Sequence, residues 1–273
     1  MRGPLSAKTA PVRTTRMKLL INYADAKFAR AQDYNAATGR SIGGFDEVRR
    51  YGPRDIDDDF QQRNRAILTH PAGAGYWLWK PYFIFKALRD LKEDDYLFYA
   101  DSGSFFVHSI DPLIETARRL DQAVVYFENM RVEKRWTKRD AFVLMDCDEP
   151  RHTESPQRQG GFSLWRKSAA ALAFAEECLT CCQDERLITD MPNQMGKPDY
   201  PEFVAHRHDQ SISSLLAKKR GLRPFRMITQ DGKPWKRDFP ECAYPQLVKL
   251  TRRGHLPLRK RVWWSLKARW AAR

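Results

Sequence analysis

Short apolar runs alternate along the chain with stretches in which apolar residues recur every three or four positions. The runs at 17–22 (MKLLIN), 96–100 (YLFYA) and 122–127 (QAVVYF) have the length and composition of buried strands. The stretch that follows Pro81 has the spacing of one helix face, and proline is favoured in the first turn of a helix. Strands that alternate with helices predict an α/β fold, with a mostly parallel mixed sheet and helices on both faces.

The later part of the chain continues this alternation. Residues 146–161 are polar and end in two glycines, which predicts a loop that leads into a short strand at 162–165. A long helix is predicted to begin at Ser168, and another at His208.

The formal net charge of +14 is concentrated at the two ends of the chain. Residues 1–18 hold five basic side chains and no acid, and residues 242–273 hold nine and no acid, so the body between them is neutral. A domain that binds nucleic acid usually carries its positive charge on the fold itself. We therefore expect no nucleic-acid partner.

The same distribution divides the chain into a disordered basic leader (1–16), one folded domain (17–245) and a basic, tryptophan-rich tail (246–273). The five cysteines form no disulfide framework, and neither a signal-peptide core nor an apolar run of about 18 residues is present, which predicts a cytoplasmic protein. Tryptophans and arginines on one helical tail suit an anionic membrane surface, and peripheral contact with the inner face of the cell membrane is one expectation. Docking of the tryptophans onto the folded domain is the other.

Three segments carry the candidate chemistry. Gly75–Tyr82 (GYWLWKPY) sets aromatic rings, on which a base or sugar can stack, beside one ammonium group. Asp101–Gly103 follows a predicted strand directly, where open α/β sheets bind ligands, although Asp-Ser-Gly is also ordinary turn chemistry. His206–Ser211 (HRHDQS) is hard to place in an apolar core, although Asp209 would also suit a helix N-cap.

Together these three segments resemble GT-A-type glycosyltransferases, and more closely a group of poorly characterised bacterial proteins that share them. The resemblance covers roughly residues 17–220. It implies a single Rossmann-like domain that transfers a sugar from a nucleoside-diphosphate sugar to a hydroxyl group. It also implies a glycan or lipid-linked acceptor and a place in surface polysaccharide synthesis.

The site residues implied by the resemblance, or favoured for a phosphate contact, fall into three groups. The donor and nucleotide would contact Tyr23, Trp79, Lys80, Asp101, Ser102, Gly103, Lys138 and Arg139. Asp209 and Gln210 would face the transferring sugar as the catalytic pair, and Gly160 and Gly161 would lie near the acceptor. Lys138 and Arg139 are favoured among several cations because they begin a predicted helix, whose first N–H groups attract anions. Trp77 and Tyr82 are expected in the core.

The metal requirement stays open at this point. GT-A enzymes hold Mn²⁺ or Mg²⁺ with an Asp-x-Asp motif, but Gly103 stands where the second acid would be. Asp101 could bind the metal with His208 as the replacement ligand, or it could hold only the ribose. A departing nucleoside diphosphate needs a cation in either case.

Two other classes of protein also fit the pattern. A nucleotidyltransferase would show a glycine-rich, lysine-bearing loop after the first strand, whereas residues 23–26 read Tyr-Ala-Asp-Ala. A non-catalytic binding protein would depend on its basic tails instead of a pocket.

Overall fold

A central five-stranded sheet organises the fold. The computed structural model describes residues 16–230 and 239–251. Its strands are β1 (Lys18–Tyr23), β2 (Glu47–Tyr51), β3 (Tyr96–Ala100), β4 (Ser104–Phe106), β5 (Val124–Val132), β6 (Pro156–Arg166) and β7 (Val248–Leu250). The central sheet has the order β2-β1-β3-β6-β5, while β4 and β7 form a separate antiparallel pair. β1 is parallel to β2 and β3, and β6 is antiparallel to β3 and β5. The predicted mixed α/β sheet is confirmed, with parallel pairings making up two of the four.

Helices and single helical turns connect these strands. The helices are α1 (Ala29–Thr38), α2 (Asp58–Arg63), α3 (Arg65–Leu68), α4 (Gly73–Tyr76), α5 (Trp79–Asp90), α6 (Asp111–Arg119), α7 (Arg139–Leu144), α8 (Pro150–Thr153), α9 (Ala169–Cys182), α10 (Glu185–Ile188) and α11 (His208–Lys219). A π-helical turn extends α1 over Gly39–Gly43, and 3₁₀ turns lie at Pro53–Asp55 and Glu133–Arg135. The predicted α9 is confirmed, and Ser168 caps it by accepting a hydrogen bond from the backbone N–H of Ala171.

The sheet separates two hydrophobic cores, because successive side chains of a strand point to opposite faces. Leu19 and Ile21 of β1 pack into one core with α5, α9 and α11. Leu20, between them, packs into the other core with Phe98 of β3 and with Leu113 of α6. Helices therefore cover both faces, as predicted.

Four elements end or begin at one edge of the sheet, and this edge holds the candidate site. The parallel strands β1 and β3 both end there, at Tyr23 and Ala100. β6 runs antiparallel to β3, so its glycines lie at the same edge, and the backbone N–H of Asp101 donates to Gly161 O at 2.9 Å. The first turns of α5 and α11 lie at the same edge, because Lys80 Nζ of α5 lies 2.7 Å from Asp209 Oδ2 of α11.

The prediction of a loop over residues 146–161 is wrong for most of that segment, which contains α8 and the first half of β6. Two polar side chains of this half-strand, Gln157 and Arg158, are buried against charged partners instead of apolar ones. Gln157 donates to Glu133 at 2.9 Å, and Arg158 pairs with Glu128 at 2.7 Å. A strand buried by polar pairing has no hydrophobic pattern to reveal it.

The predicted leader and tail lie largely outside the described residues. Arg16 pairs with the exposed Asp94 at 2.9 Å, and the strand β7 lies within the first residues assigned to the tail. The described part of the folded body therefore continues to Thr251. No helix among the described residues is long and apolar enough to cross a membrane.

Candidate active site

A left-handed turn positions the start of α5. From Gly73 to Trp77 the backbone φ angles are all positive, between 51° and 94°. Glycine tolerates this conformation, but Ala74, Tyr76 and Trp77 pay about 1–2 kcal/mol each. The turn is closed by Trp79, whose indole N–H donates to Gly73 O at 2.9 Å. Strain of this kind is typical of sites that must hold a defined geometry.

Lys80 is the central charge of the site. Its ammonium nitrogen lies 2.7 Å from Asp209 Oδ2 and 3.9 Å from Asp101 Oδ1, and it donates to Gly160 O at 3.1 Å. Burial acts to lower the pKa of Lys80, but the carboxylates of Asp209 and Asp101 outweigh burial and raise it, so the ammonium group stays protonated. Burial raises the pKa of Asp209, against the opposing effect of Lys80.

Asp101 differs from Asp209 in its exposure. Its side chain is 48% exposed, whereas the side chains of Lys80 and Asp209 are each 8% exposed. The hydroxyl group of Tyr99 donates to Asp101 Oδ1 at 2.7 Å and fixes the carboxylate. The second oxygen lies beside Gly161, where a Cβ atom would stand only 2.8 Å from it. Gly161 therefore provides the space that the carboxylate occupies.

Gln210 is held by the protein at both ends of its amide. Its Oε1 accepts from the backbone N–H of Gly160 at 3.0 Å, and its Nε2 donates to Gln157 Oε1 at 2.5 Å. A Cβ atom on Gly160 would lie 2.8 Å from the Cβ of Gln210. These contacts make Gln210 a positioning residue for β6, and its contact with a sugar stays a prediction.

The first of two adjoining cavities has a volume of about 490 Å³ and lies at the end of β1. We call it the Tyr23 cavity. Tyr23 and Trp79 stack in its wall with ring centroids 3.9 Å apart, and Ser102 Oγ donates to Tyr23 O at 2.5 Å. Because the two rings already face one another, a base would meet their edges or the nearby Trp77 instead of entering between them.

The second cavity, of about 620 Å³, lies on the other side of Asp101, and we call it the Arg207 cavity. It is more polar than the first. Its wall contains Lys80, Asp101, Asn129, Arg131, Gln159, Gly160, Gly161, Arg207, His208, Asp209 and Gln210, among others. Trp77 and Asp101 line both cavities, so the two spaces meet at these side chains. Trp77 was expected in the core and is instead half-buried at this boundary.

Lys138 and Arg139, predicted to contact a diphosphate, line neither cavity. The ammonium group of Lys138 is buried and donates to the backbone carbonyls of Thr189 and Met191 at 3.2 and 3.0 Å. Arg139 forms an ion pair with Asp148 at 3.0 Å. Both cations stabilise neighbouring loops, which a helix-terminus argument cannot anticipate. The predicted helix does form, as α7.

The proposed metal ligands Asp101 and His208 do not assemble around a common point. His208 directs Nδ1 to Ile188 O at 2.8 Å, and its Nε2 lies 4.0 Å from Asp190. Both ring nitrogens of the neighbouring His206 are bonded to backbone groups. In the described part of the chain, no group of three or more His, Cys, Asp or Glu could hold a metal ion. These residues do not fit a protein-held metal site, and the cation beside Asp101 is Lys80.

Three residues of the Arg207 cavity escaped sequence reasoning. Asn129 lies in the part of β5 beyond the predicted strand at 122–127, and Arg207 stood inside the HRHDQS segment without an assigned role. Arg131 belonged to the run of cations from which Lys138 and Arg139 were preferred. The signal that could have found Arg131 was its position, because it lies near the end of a strand whereas Lys138 and Arg139 lie at the start of a helix.

Comparisons with known proteins give a distant structural likeness. No protein-family model matches the chain, and no curated protein sequence matches it. Mouse xyloside xylosyltransferase 1, in its apo form, is 11% identical with a TM-score of 0.47, over 89% of this chain and 100% of that one. The galactosyltransferase LgtC, in complex with donor and acceptor sugar analogues, is 13% identical with a TM-score of 0.43, over 86% and 87%. At these values the function has to be argued from the residues of this chain.

Proposed function

We propose that the protein is a glycosyltransferase that moves a sugar from a nucleoside-diphosphate sugar to a hydroxyl group of a glycan or lipid-linked acceptor. The observation that carries the proposal is the position of Lys80 and Asp101. The half-exposed carboxylate of Asp101 lines both cavities at the carboxyl ends of β1 and β3, and the buried ammonium group of Lys80 lies 3.9 Å from it in the wall of the Arg207 cavity. Group transfer between two bound molecules fits this arrangement, because both can approach one charged point in a fixed orientation.

The Tyr23 cavity suits the nucleotide. Its volume lies in the range of about 300–1,000 Å³ that small-molecule sites occupy. Aromatic rings form one wall, and the small residues Ser102 and Gly103 form another beside the end of β3, where open α/β sheets bind nucleotides. The Arg207 cavity, with its amide and charged side chains, then suits the acceptor.

The transfer breaks the bond between the anomeric carbon and the diphosphate oxygen, and the electron pair leaves on the nucleoside diphosphate. The acceptor oxygen forms the new bond, and its proton is released to the surrounding water. An ammonium group has three N–H donors, and Lys80 directs two of them at Asp209 and Gly160 O. The third is left for a ligand oxygen on the Asp101 side. Lys80 would thus stabilise the charge that develops on the departing phosphate.

A thermal-shift panel tests this function. UDP-, GDP- and dTDP-sugars, with a CMP-sugar as the monophosphate comparator, are added to the wild type, Asp101→Ala and Asp33→Ala. Asp33 is the matched control, because it lies on the surface of α1, where its exposed carboxylate pairs with Arg50 of β2. We expect at least one diphosphate sugar to stabilise the wild type and Asp33→Ala, but not Asp101→Ala. The absence of a shift with every nucleotide would overturn the proposal.

A further inference from the structure

Two arginines of the Arg207 cavity share one aromatic support. The guanidinium carbon of Arg131 lies 4.2 Å from the ring centroid of Trp136, and that of Arg207 lies 4.4 Å from it. Arg131 lies in the exposed end of β5, and Arg207 immediately precedes α11. Stacking on an indole ring holds a planar guanidinium in a fixed orientation and leaves its N–H edge free for other contacts.

Neither guanidinium group has a carboxylate partner among residues 16–230 and 239–251. Other arginines nearby do, since Arg139 pairs with Asp148 and Arg158 with Glu128. The Nε of Arg207 is buried and makes no hydrogen bond to any described residue. Burial, followed by the charge of Arg131, lowers the pKa of Arg207. Arg131 is exposed to solvent, but Arg207 is partly buried, and a bound anion would offset both the burial of the Arg207 charge and its repulsion from Arg131.

The charges of Lys80, Asp101 and Asp209, in the wall of the same cavity, also favour an anion site at the two arginines. Lys80 lies between the two carboxylates of Asp101 and Asp209, so this cluster has one positive and two potentially negative groups. Such a cluster has no excess of positive charge with which to attract an anionic ligand. Arg131 and Arg207 line the same cavity and provide the positive charge that the cluster lacks.

We propose that Arg131 and Arg207 form a binding site for a phosphate or carboxylate group of the molecule that occupies the Arg207 cavity. Guanidinium groups bind both anions through two parallel N–H···O bonds. This site rests on the proposed function, under which the occupant is an acceptor that carries an acidic sugar or a phosphate. The diphosphate of the donor, reaching across Asp101, is the other source of the same chemistry.

Thermal-shift titrations with inorganic phosphate and glucuronate, at constant ionic strength and with glucose as the neutral comparator, test the site. We expect both anions, but not glucose, to stabilise the wild type. Their binding should weaken about tenfold or more in R131Q/R207Q, the loss typical of a charge-assisted hydrogen bond. Arg63→Gln is the matched control, because that arginine pairs with the exposed Asp59 on α2 and lines neither cavity. It should leave anion binding unchanged.

Circular dichroism in anion-free buffer shows whether R131Q/R207Q folds. If it folds poorly, a second double variant is used instead. R131K/R207K keeps both charges but loses the planar fork, and we expect it to fold and to bind both anions several-fold more weakly than the wild type. Equal anion binding by the wild type and the folded double variants, or no anion binding by the wild type, would overturn the site.

Nucleoside diphosphates separate the two sources of the anion. If the anion belongs to the acceptor, R131Q/R207Q binds nucleoside diphosphates as the wild type does. If it is the donor diphosphate, their binding weakens together with that of phosphate. Anion binding is measured without any nucleotide, so a failure of every nucleotide to bind would count against glycosyl transfer and not against this site.

Discussion

The ammonium nitrogen of Lys80 lies 2.7 Å from the carboxylate of Asp209, although the two residues are 129 positions apart in the chain and both are buried. This ion pair joins the first turn of α5 to the first turn of α11 across the end of the sheet. A buried ion pair adds little stability over an apolar pair of the same size, but removing one partner leaves an uncompensated charge. The pair therefore fixes where Lys80 can act.

Replacing Lys80 by methionine should lower the free energy of unfolding by about 3–5 kcal/mol, because Asp209 then remains buried without a partner. Urea unfolding measures this loss. The double variant K80M/D209N, which removes both charges, should recover part of it. Lys86→Met is the control on the same helix, since Lys86 pairs with the exposed Asp57 and should cost less than about 1 kcal/mol. Equal losses for the two methionine variants would contradict the role given to the buried pair.

Gly161→Ala should reduce nucleotide-sugar binding while the protein stays folded. The added methyl group would stand 2.8 Å from Asp101 Oδ2, and the half-exposed carboxylate can move away from it into the cavities. Binding is read from the thermal shift with the best nucleotide sugar, and folding from circular dichroism. Gly52→Ala is the control, because its methyl group would meet nothing nearer than 3.4 Å. A normal shift in Gly161→Ala would show that the position of Asp101 is not critical.

Nucleotide binding should persist when divalent ions are removed. The predicted ligands Asp101 and His208 face different partners, and Lys80 lies beside Asp101 as the cation. The thermal shift produced by the best nucleotide sugar is compared in EDTA and in Mn²⁺. We expect a shift in both conditions, and its loss in EDTA with full recovery on addition of Mn²⁺ would contradict the place given to Lys80.

Acid should destabilise the protein through His206. Burial, followed by the nearby His208, lowers the pKa of His206 to about 3. Between that value and the unfolded pKa of about 6.5, the unfolded chain binds a proton that the folded chain rejects. Stability is then lost as the pH falls below about 6.5, by up to roughly 1.4 kcal/mol per pH unit until the folded pKa is reached.

His206→Gln removes this titration and keeps a side chain that can hydrogen-bond. The melting temperature of the variant should therefore fall less steeply than that of the wild type between pH 7 and pH 4. The comparison is between slopes, because the substitution also lowers stability at neutral pH. Identical slopes in the two proteins would show that His206 is not held neutral in the folded state.

The sequence alone predicted the strands and helices whose apolar pattern is local. β1 and β3 are recognisable as continuous apolar runs because each strand is buried on both faces. The spacing of apolar residues in α5 and α9 follows from helix geometry. The position of Asp101 after a predicted strand was also enough to place it at the edge of the sheet where ligands bind, whereas the resemblance placed Asp209 there. The inference for Asp101 uses only neighbouring residues and the direction of a strand.

Only the tertiary structure determined which partners the polar groups have. The first half of β6 was missed because Gln157 and Arg158 are buried by charges distant in the chain, and no periodicity records such pairing. Lys80 was expected to face the ligand, and the structure adds a buried partner, Asp209, that no local pattern indicates. Lys138 was assigned to a phosphate and instead donates to two backbone carbonyls. The energy of a charged side chain depends on what the fold brings beside it, and that information is not local.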